Sequence, residues 1–138
     1  MEKIYQYKSE IQEIQLIRGN LASLAKLWKI PESELRQIGV IIEELFSNII
    51  RFAYDDNLEH QIDIRLLKAD GEIRIEIIDD GIPFNPVDHQ LGDVSGPAAS
   101  EVGGMGLTLV RTFSDSIVYS RINRRNRLKI TKKIKSQQ

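Results

Sequence analysis

The sequence predicts an α+β fold, with helices packed on one face of a mixed, mainly antiparallel sheet. Three observations carry that expectation. Two early stretches repeat apolar residues every three or four positions, the period of a half-buried helix. Four later stretches alternate apolar and polar residues, the period of a half-buried strand. A single helical segment, led by glycines, stands between the two strand pairs. Helices first and strands later suggest a two-layer sandwich rather than a repeating βαβ array.

Composition sets the bounds. The chain has 138 residues, enough for one domain, 1–138, with a real core. Apolar residues make up 41% and charged residues 28%, ordinary values for a globular protein. A net charge of −1 gives no broad electrostatic case for nucleic acid or membrane. With no cysteine, disulfides and thiolate metal sites are excluded. The start "MEKIYQYKSE" lacks an apolar h-region, and no apolar run approaches the roughly 20 residues of a membrane helix. A cytoplasmic location is the expectation.

Residues 3–7 form a short strand. A helix begins at Ser9, where Ser9 and Gln12 fit a capping box. Ile11, Ile14, Ile17, Leu21, Leu24 and Trp28 line one face of it, and it ends near Ile30-Pro31. The second helix runs from about Pro31 to Tyr54. Proline suits its first turn, and Glu32 and Glu34 suit the positive end of its dipole. Its apolar stripe is Leu35, Ile38, Ile42, Leu45, Ile49 and Phe52, and Asp55-Asp56-Asn57 breaks it. "QIDIRLL" and "EIRIEII" then alternate as strands, joined by a turn at Ala69-Asp70-Gly71. The loop from Val87 to Val102 is too long for a mere connector. Two more strands, about 116–122 and 127–134, turn at Asn123 to Asn126. The basic end "RINRRNRLKITKKIK" points Leu128 and Ile130 inward and Arg127 and Lys129 outward, as a solvated sheet edge does.

Three places suggest chemistry. In "EELFSNIIR", Glu44 and Asn48 are four residues apart and share a helix face bordering the apolar stripe. Solvated surface residues are the plainer reading. Glu43 competes with Glu44, but lies about 100° away round the helix. In "IIDDGIPFNP", Asp79 ends an apolar strand and Gly81 follows two positions on. Asp79 is either a turn-former or a buried acceptor for a ligand amine, with Gly81 allowing close backbone approach. Finally, Gly103, Gly104 and Gly106 open the helix whose apolar face is Leu107, Val110 and Phe113. Each glycine costs about 1 kcal/mol against alanine in a helix. A helix start with bare backbone binds phosphate through its free N–H groups and dipole. A flexible hinge is the alternative. His60 and His89 lack ligand spacing and receive no role.

In this order, Glu44-x-x-x-Asn48, Asp79-x-Gly81 and Gly103-Gly104-Met105-Gly106 resemble the N, G1 and G2 boxes of the GHKL ATPase/kinase superfamily. Its Bergerat α/β sandwich matches the element order above. "EELFSNIIRFAY", "DDGIPFNP" and "GGMGLTLVRTFSDSIVYSR" look most like the anti-sigma-factor serine/threonine kinase branch, over roughly residues 5–134. The resemblance implies ATP and Mg²⁺ as cofactors, with Asn48 on the metal and Glu44 as general base. It implies Asp79 accepting from the adenine amine, Gly81 giving the base room, and Gly104, Met105, Gly106 and Leu107 at the phosphates. Residues 87–102 would form a lid. It implies partner switching between a sigma factor and a STAS-type antagonist phosphorylated on serine or threonine, with Arg18 at a partner surface. A homodimer is compatible with it, while direct nucleic-acid and membrane contacts are not expected. The rival is a nucleotide-gated binding module without phosphoryl transfer. The catalytic half of a histidine kinase is disfavoured, because the chain leaves no room for a helical dimerisation domain. Three departures from the family pattern stand out. Phe52 replaces a common histidine, Pro83 replaces the second glycine of D-x-G-x-G, and "NRL" replaces the late G-T-x element.

Overall fold

The computed structural model describes residues 1–87 and 104–134, with Gly104 and Met105 described through their backbone alone. The elements in order are β1 (Glu2–Lys8), α1 (Glu13–Trp28), α2 (Glu32–Phe52), β2 (Gln61–Ala69), β3 (Glu72–Asp79), α3 (Gly104–Phe113), β4 (Ser116–Ile122) and β5 (Arg125–Lys133). The five strands form one sheet in the order β1-β2-β3-β5-β4. Every pairing among the described residues is antiparallel, in line with the expected mainly antiparallel sheet and without a parallel pair.

Alternation decides which face is covered. Ile62, Ile64 and Leu66 of β2, Ile73, Ile75 and Ile77 of β3, and Leu128 and Ile130 of β5 are all buried. They share one core with Ile17, Leu21, Leu24 and Trp28 of α1, and with Leu107 and Val110 of α3. From α2 come Ile38, Ile42, Leu45 and Ile49, and also Ile41 and Phe46, beyond the predicted stripe. The helices therefore pack on one face, as an α+β sandwich requires.

Both hairpins turn on two left-handed residues, Asp70-Gly71 and Asn123-Arg124. That backbone matches the twist of the flanking strands. The second turn is tighter than Asn123 to Asn126, which moves Asn126 into β5.

The start of α1 differs from the sequence expectation. The helix begins at Glu13, and no side chain caps it. Ser9 extends the sheet instead. Its N–H donates to His60 O at 2.9 Å, and its hydroxyl accepts from His60 N at 2.9 Å. The hydroxyl is thus committed to the β1–β2 edge, and Ile11 is left exposed.

Lys132 breaks the expected pattern of outward cations. It occupies an inward position of β5 and is buried. Its ammonium donates to Gln37 Oε1 and to Phe113 O, the latter at 3.2 Å, and pairs with Glu34 at 3.1 Å. A buried cation needs such partners, and here it also sits at the negative end of α3.

Candidate functional site

The C-terminal half of α2 is the frame on which the three motifs meet. Asn48 is 4% exposed. Its Nδ2 donates to Glu44 O at 2.7 Å. Only the NH₂ end of the amide can donate to a carbonyl, so the contact fixes which way the amide points. Its Oδ1 has no hydrogen-bond partner among the described residues. A hard cation such as Mg²⁺ seeks such an oxygen.

One turn earlier, the half-buried carboxylate of Glu44 lies against the first turn of α3. A Cβ on Gly106 would fall closer than 3.0 Å to Glu44 Cδ and both carboxylate oxygens. Burial raises the Glu44 pKa, the neighbouring Glu43 charge raises it further, and Arg51 opposes both. The shift makes Glu44 a better proton acceptor once ionised. Glu43 faces the other way, and its carboxylate takes two hydrogen bonds from Arg18, at 2.8 and 3.1 Å. The two neighbouring carboxylates are therefore on different surfaces, Glu44 toward α3 and Glu43 toward α1.

Asp79 ends β3 and is 3% exposed. Its Oδ1 accepts from Gly81 N at 2.8 Å and from Asn126 Nδ2 at 2.9 Å. Its Oδ2 has no hydrogen-bond partner among the described residues. Burial lifts its pKa, while the Asn126 and Gly81 bonds pull it down. The carboxylate thus fits the role of an acceptor presented to a ligand amine.

The glycines divide by reason. A Cβ on Gly81 would fall closer than 3.0 Å to Ala53, just beyond α2. Ile82 N also donates to Ala53 O at 2.7 Å. The end of α2 presses on Gly81, a second demand for a bare backbone beside the expected room for a base. Gly106 is bare because Glu44 needs the space. Gly104 opens α3, as the sequence predicts. The Leu107 side chain is 1% exposed and belongs to the core, as its place on the apolar face predicts, so it offers a ligand only its backbone. Beyond Val87, the expected lid lies outside the described residues, as do Gly103, His89 and the Met105 side chain.

Two residues given no site role by the sequence stand beside the site. Asn126 joins Asp79 to the 81–84 turn, with Nδ2 also donating to Ile82 O at 2.7 Å. The signal for it was a polar residue in phase with Leu128 and Ile130. His60 places Nε2 at 2.7 Å from Asp56 and Nδ1 at 3.1 Å from Asp80, with its ring stacked on Tyr54 at 4.2 Å. Carboxylates only accept, so both contacts are hydrogen bonds only when the ring carries both protons. Its pKa is raised, chiefly by the Asp56 hydrogen bond.

A raised folded value means that the stabilisation is full below the unfolded pKa of about 6.5 and fades as pH rises through the folded value. Melting temperatures of wild type and His60→Phe should differ most at low pH and converge as the imidazolium deprotonates. A gap that stays constant across that window would remove the ion pairs from the account.

The fit to a nucleotide rests on two oxygens without hydrogen-bond partners among the described residues, Asn48 Oδ1 and Asp79 Oδ2, and on the start of α3. The family model of the histidine kinase-like ATPase domain matches residues 7–132. No curated protein matches the chain. Among solved structures, the chain is similar to the crystal structure of the RsbU and RsbW domains of Rv1364c from Mycobacterium tuberculosis. The TM-score is 0.66 at 14% identity, over 97% of this chain and 32% of that one. This likeness supports the fold. The chain spans about a third of that protein's length.

Proposed function

Because the chain belongs to the histidine kinase-like ATPase family, we propose that it binds Mg²⁺-ATP and phosphorylates a serine or threonine of a STAS-type antagonist. On this reading it belongs to the anti-sigma-factor branch of the GHKL superfamily and also sequesters a sigma factor. The observation that carries it is the meeting of Glu44 with the start of α3, one turn from Asn48. A proton acceptor then stands beside the surface where phosphates bind a helix start.

The chemistry follows from these positions. Asn48 Oδ1 would hold Mg²⁺, which would supply positive charge to offset that of the phosphates. Glu44 takes the proton of the attacking hydroxyl. The hydroxyl oxygen bonds to the γ-phosphorus as the bond to the β–γ bridging oxygen breaks, and ADP leaves. Such transfer needs positioning and charge more than covalent participation. Arg18 is the partner contact on this reading. It is exposed, and with Leu21, Leu35 and Val40 it lines a shallow groove between α1 and α2.

A second reading is a nucleotide-gated module that exchanges partners without transfer. It is favoured by Phe52, which packs its ring 5.7 Å from Phe84 and supplies no polar group where relatives carry histidine.

Base recognition tests the nucleotide half of the proposal. The adenine amine donates to Asp79, whereas GTP presents a carbonyl there. A hydrogen bond to a charged group contributes roughly 1.5–3 kcal/mol. Asp79→Asn should therefore weaken ATP about ten- to a hundredfold. An asparagine oxygen still accepts from Gly81 N and Asn126 Nδ2, and the buried charge is gone, so the fold should hold. Calorimetry showing equal wild-type affinity for ATP and GTP would remove Asp79 from this role.

A further inference from the structure

We propose that Asn126 is a positioning residue that sets the purine preference of this site, by fixing the Asp79 carboxylate through a row of three side chains. The inference rests on the ATP reading above. Asp79 pairs with Asn126 across β3 and β5, and Asn126 pairs with Arg121 across β5 and β4. The row runs carboxylate, amide, guanidinium.

Asn126 is 2% exposed, and both ends of its amide are in use. Nδ2 donates to Asp79 Oδ1 and to Ile82 O. Oδ1 accepts from Phe84 N at 3.2 Å, from Arg121 Nη1 at 3.1 Å and from the Tyr119 hydroxyl. Turning the amide over would set acceptor against acceptor and donor against donor at every charged or backbone contact. Its orientation is therefore fixed by chemistry. Arg121 Nη1 also donates to Gly81 O at 2.7 Å, so the cation braces the same turn from behind.

The consequence falls on Asp79. Asn126 and Gly81 both bind Oδ1. Rotating the carboxylate would break both bonds at once. One oxygen is thus consumed internally, and Oδ2 alone is left, at a fixed angle, as an acceptor. A single fixed acceptor suits a purine presenting an amine and rejects one presenting a carbonyl. The charged and titratable groups around the row, among the described residues, include Asp80 with its partner His60, Tyr54 beyond α2, Arg121 and Tyr119 on β4, and Asp63 and Arg125, which line a cavity with Asp79 and Asp80.

The test measures ATP and GTP affinity with Mg²⁺ by calorimetry across mildly acidic to mildly basic pH. Asn126→Ala should lose about tenfold or more in ATP affinity with GTP little changed. Arg121→Met, at an exposed position, should lose part of that preference and keep the fold. Asn126→Asp sets a second carboxylate against Asp79, and two such groups at hydrogen-bond distance must share a proton. That variant should bind ATP nearly as wild type does at the acidic end and weaken steeply as pH rises, relative to wild type. If Asn126→Ala does not fold, the other two variants decide. An ATP preference unchanged in Arg121→Met, together with a wild-type pH profile in Asn126→Asp, overturns the inference while leaving ATP binding intact. A wild type that binds no ATP overturns the nucleotide reading itself.

Discussion

Gly106→Val should abolish Mg²⁺-ATP binding, while Gly106→Ala should retain measurable binding and lose phosphoryl transfer. The space beside Gly106 Cα is already taken by the Glu44 carboxylate. A methyl group there pushes away the end of a flexible side chain, which yields without breaking the core. Gly106 lacks the positive φ that would forbid alanine. Alanine therefore gains about 1 kcal/mol of helix propensity and melts no lower than wild type. Its cost appears in transfer, because Glu44 no longer sits beside the start of α3. Valine adds two more methyl groups over the first turn, where phosphate must reach bare N–H groups. Calorimetry and a transfer assay on both variants separate these effects. ATP binding by Gly106→Val at wild-type strength would mean that the phosphates lie elsewhere.

Much of this arrangement was legible in the sequence, because period and spacing are local. Strand alternation placed Ile62 to Leu66 and Ile73 to Ile77 on the covered face. The i, i+4 spacing put Glu44 and Asn48 on one side of α2, and the structure joins them through Asn48 Nδ2 and Glu44 O. The Asp70-Gly71 turn has the left-handed backbone that its residue types favour. What escaped the sequence depends on pairing between distant strands. Ser9 looked like a helix cap, yet pairing of β1 with β2 brings His60 to its hydroxyl. Lys132 looked like a solvated cation, yet the register of β5 turns it toward Glu34 and Gln37. Asn126 stood one residue too far along to belong to the turn assigned to it. No local pattern says which strand a polar residue will face, and register alone set it beside Asp79. The glycines show the same limit. Their need for space was readable, but the tertiary contacts that press on them were not, Ala53 for Gly81 and Glu44 for Gly106.

Glu44→Gln should bind Mg²⁺-ATP as wild type does and transfer phosphate at least a hundredfold more slowly. General-base assistance contributes about 10²–10⁴ in rate, and glutamine keeps the shape without the basic oxygen. Asn48→Ala should behave differently. Its amide oxygen is the expected metal contact, so that variant should lose Mg²⁺-ATP binding before transfer can be measured. The pair thus separates affinity from chemistry on a single helix face. Glu43 is the natural rival for the base, but both its oxygens are bonded to Arg18 on the α1 side. Glu43→Gln should accordingly transfer at close to the wild-type rate. The assay needs purified protein, labelled ATP and a STAS-type protein encoded nearby. Transfer by Glu44→Gln at the wild-type rate would place the base elsewhere. A wild type that transfers nothing, yet changes partner affinity between ATP and ADP, would establish the nucleotide-gated module. In that case the Glu44 carboxylate beside α3 would sense the bound nucleotide rather than act on a hydroxyl, and Glu44→Gln should alter the ATP-to-ADP difference in partner affinity.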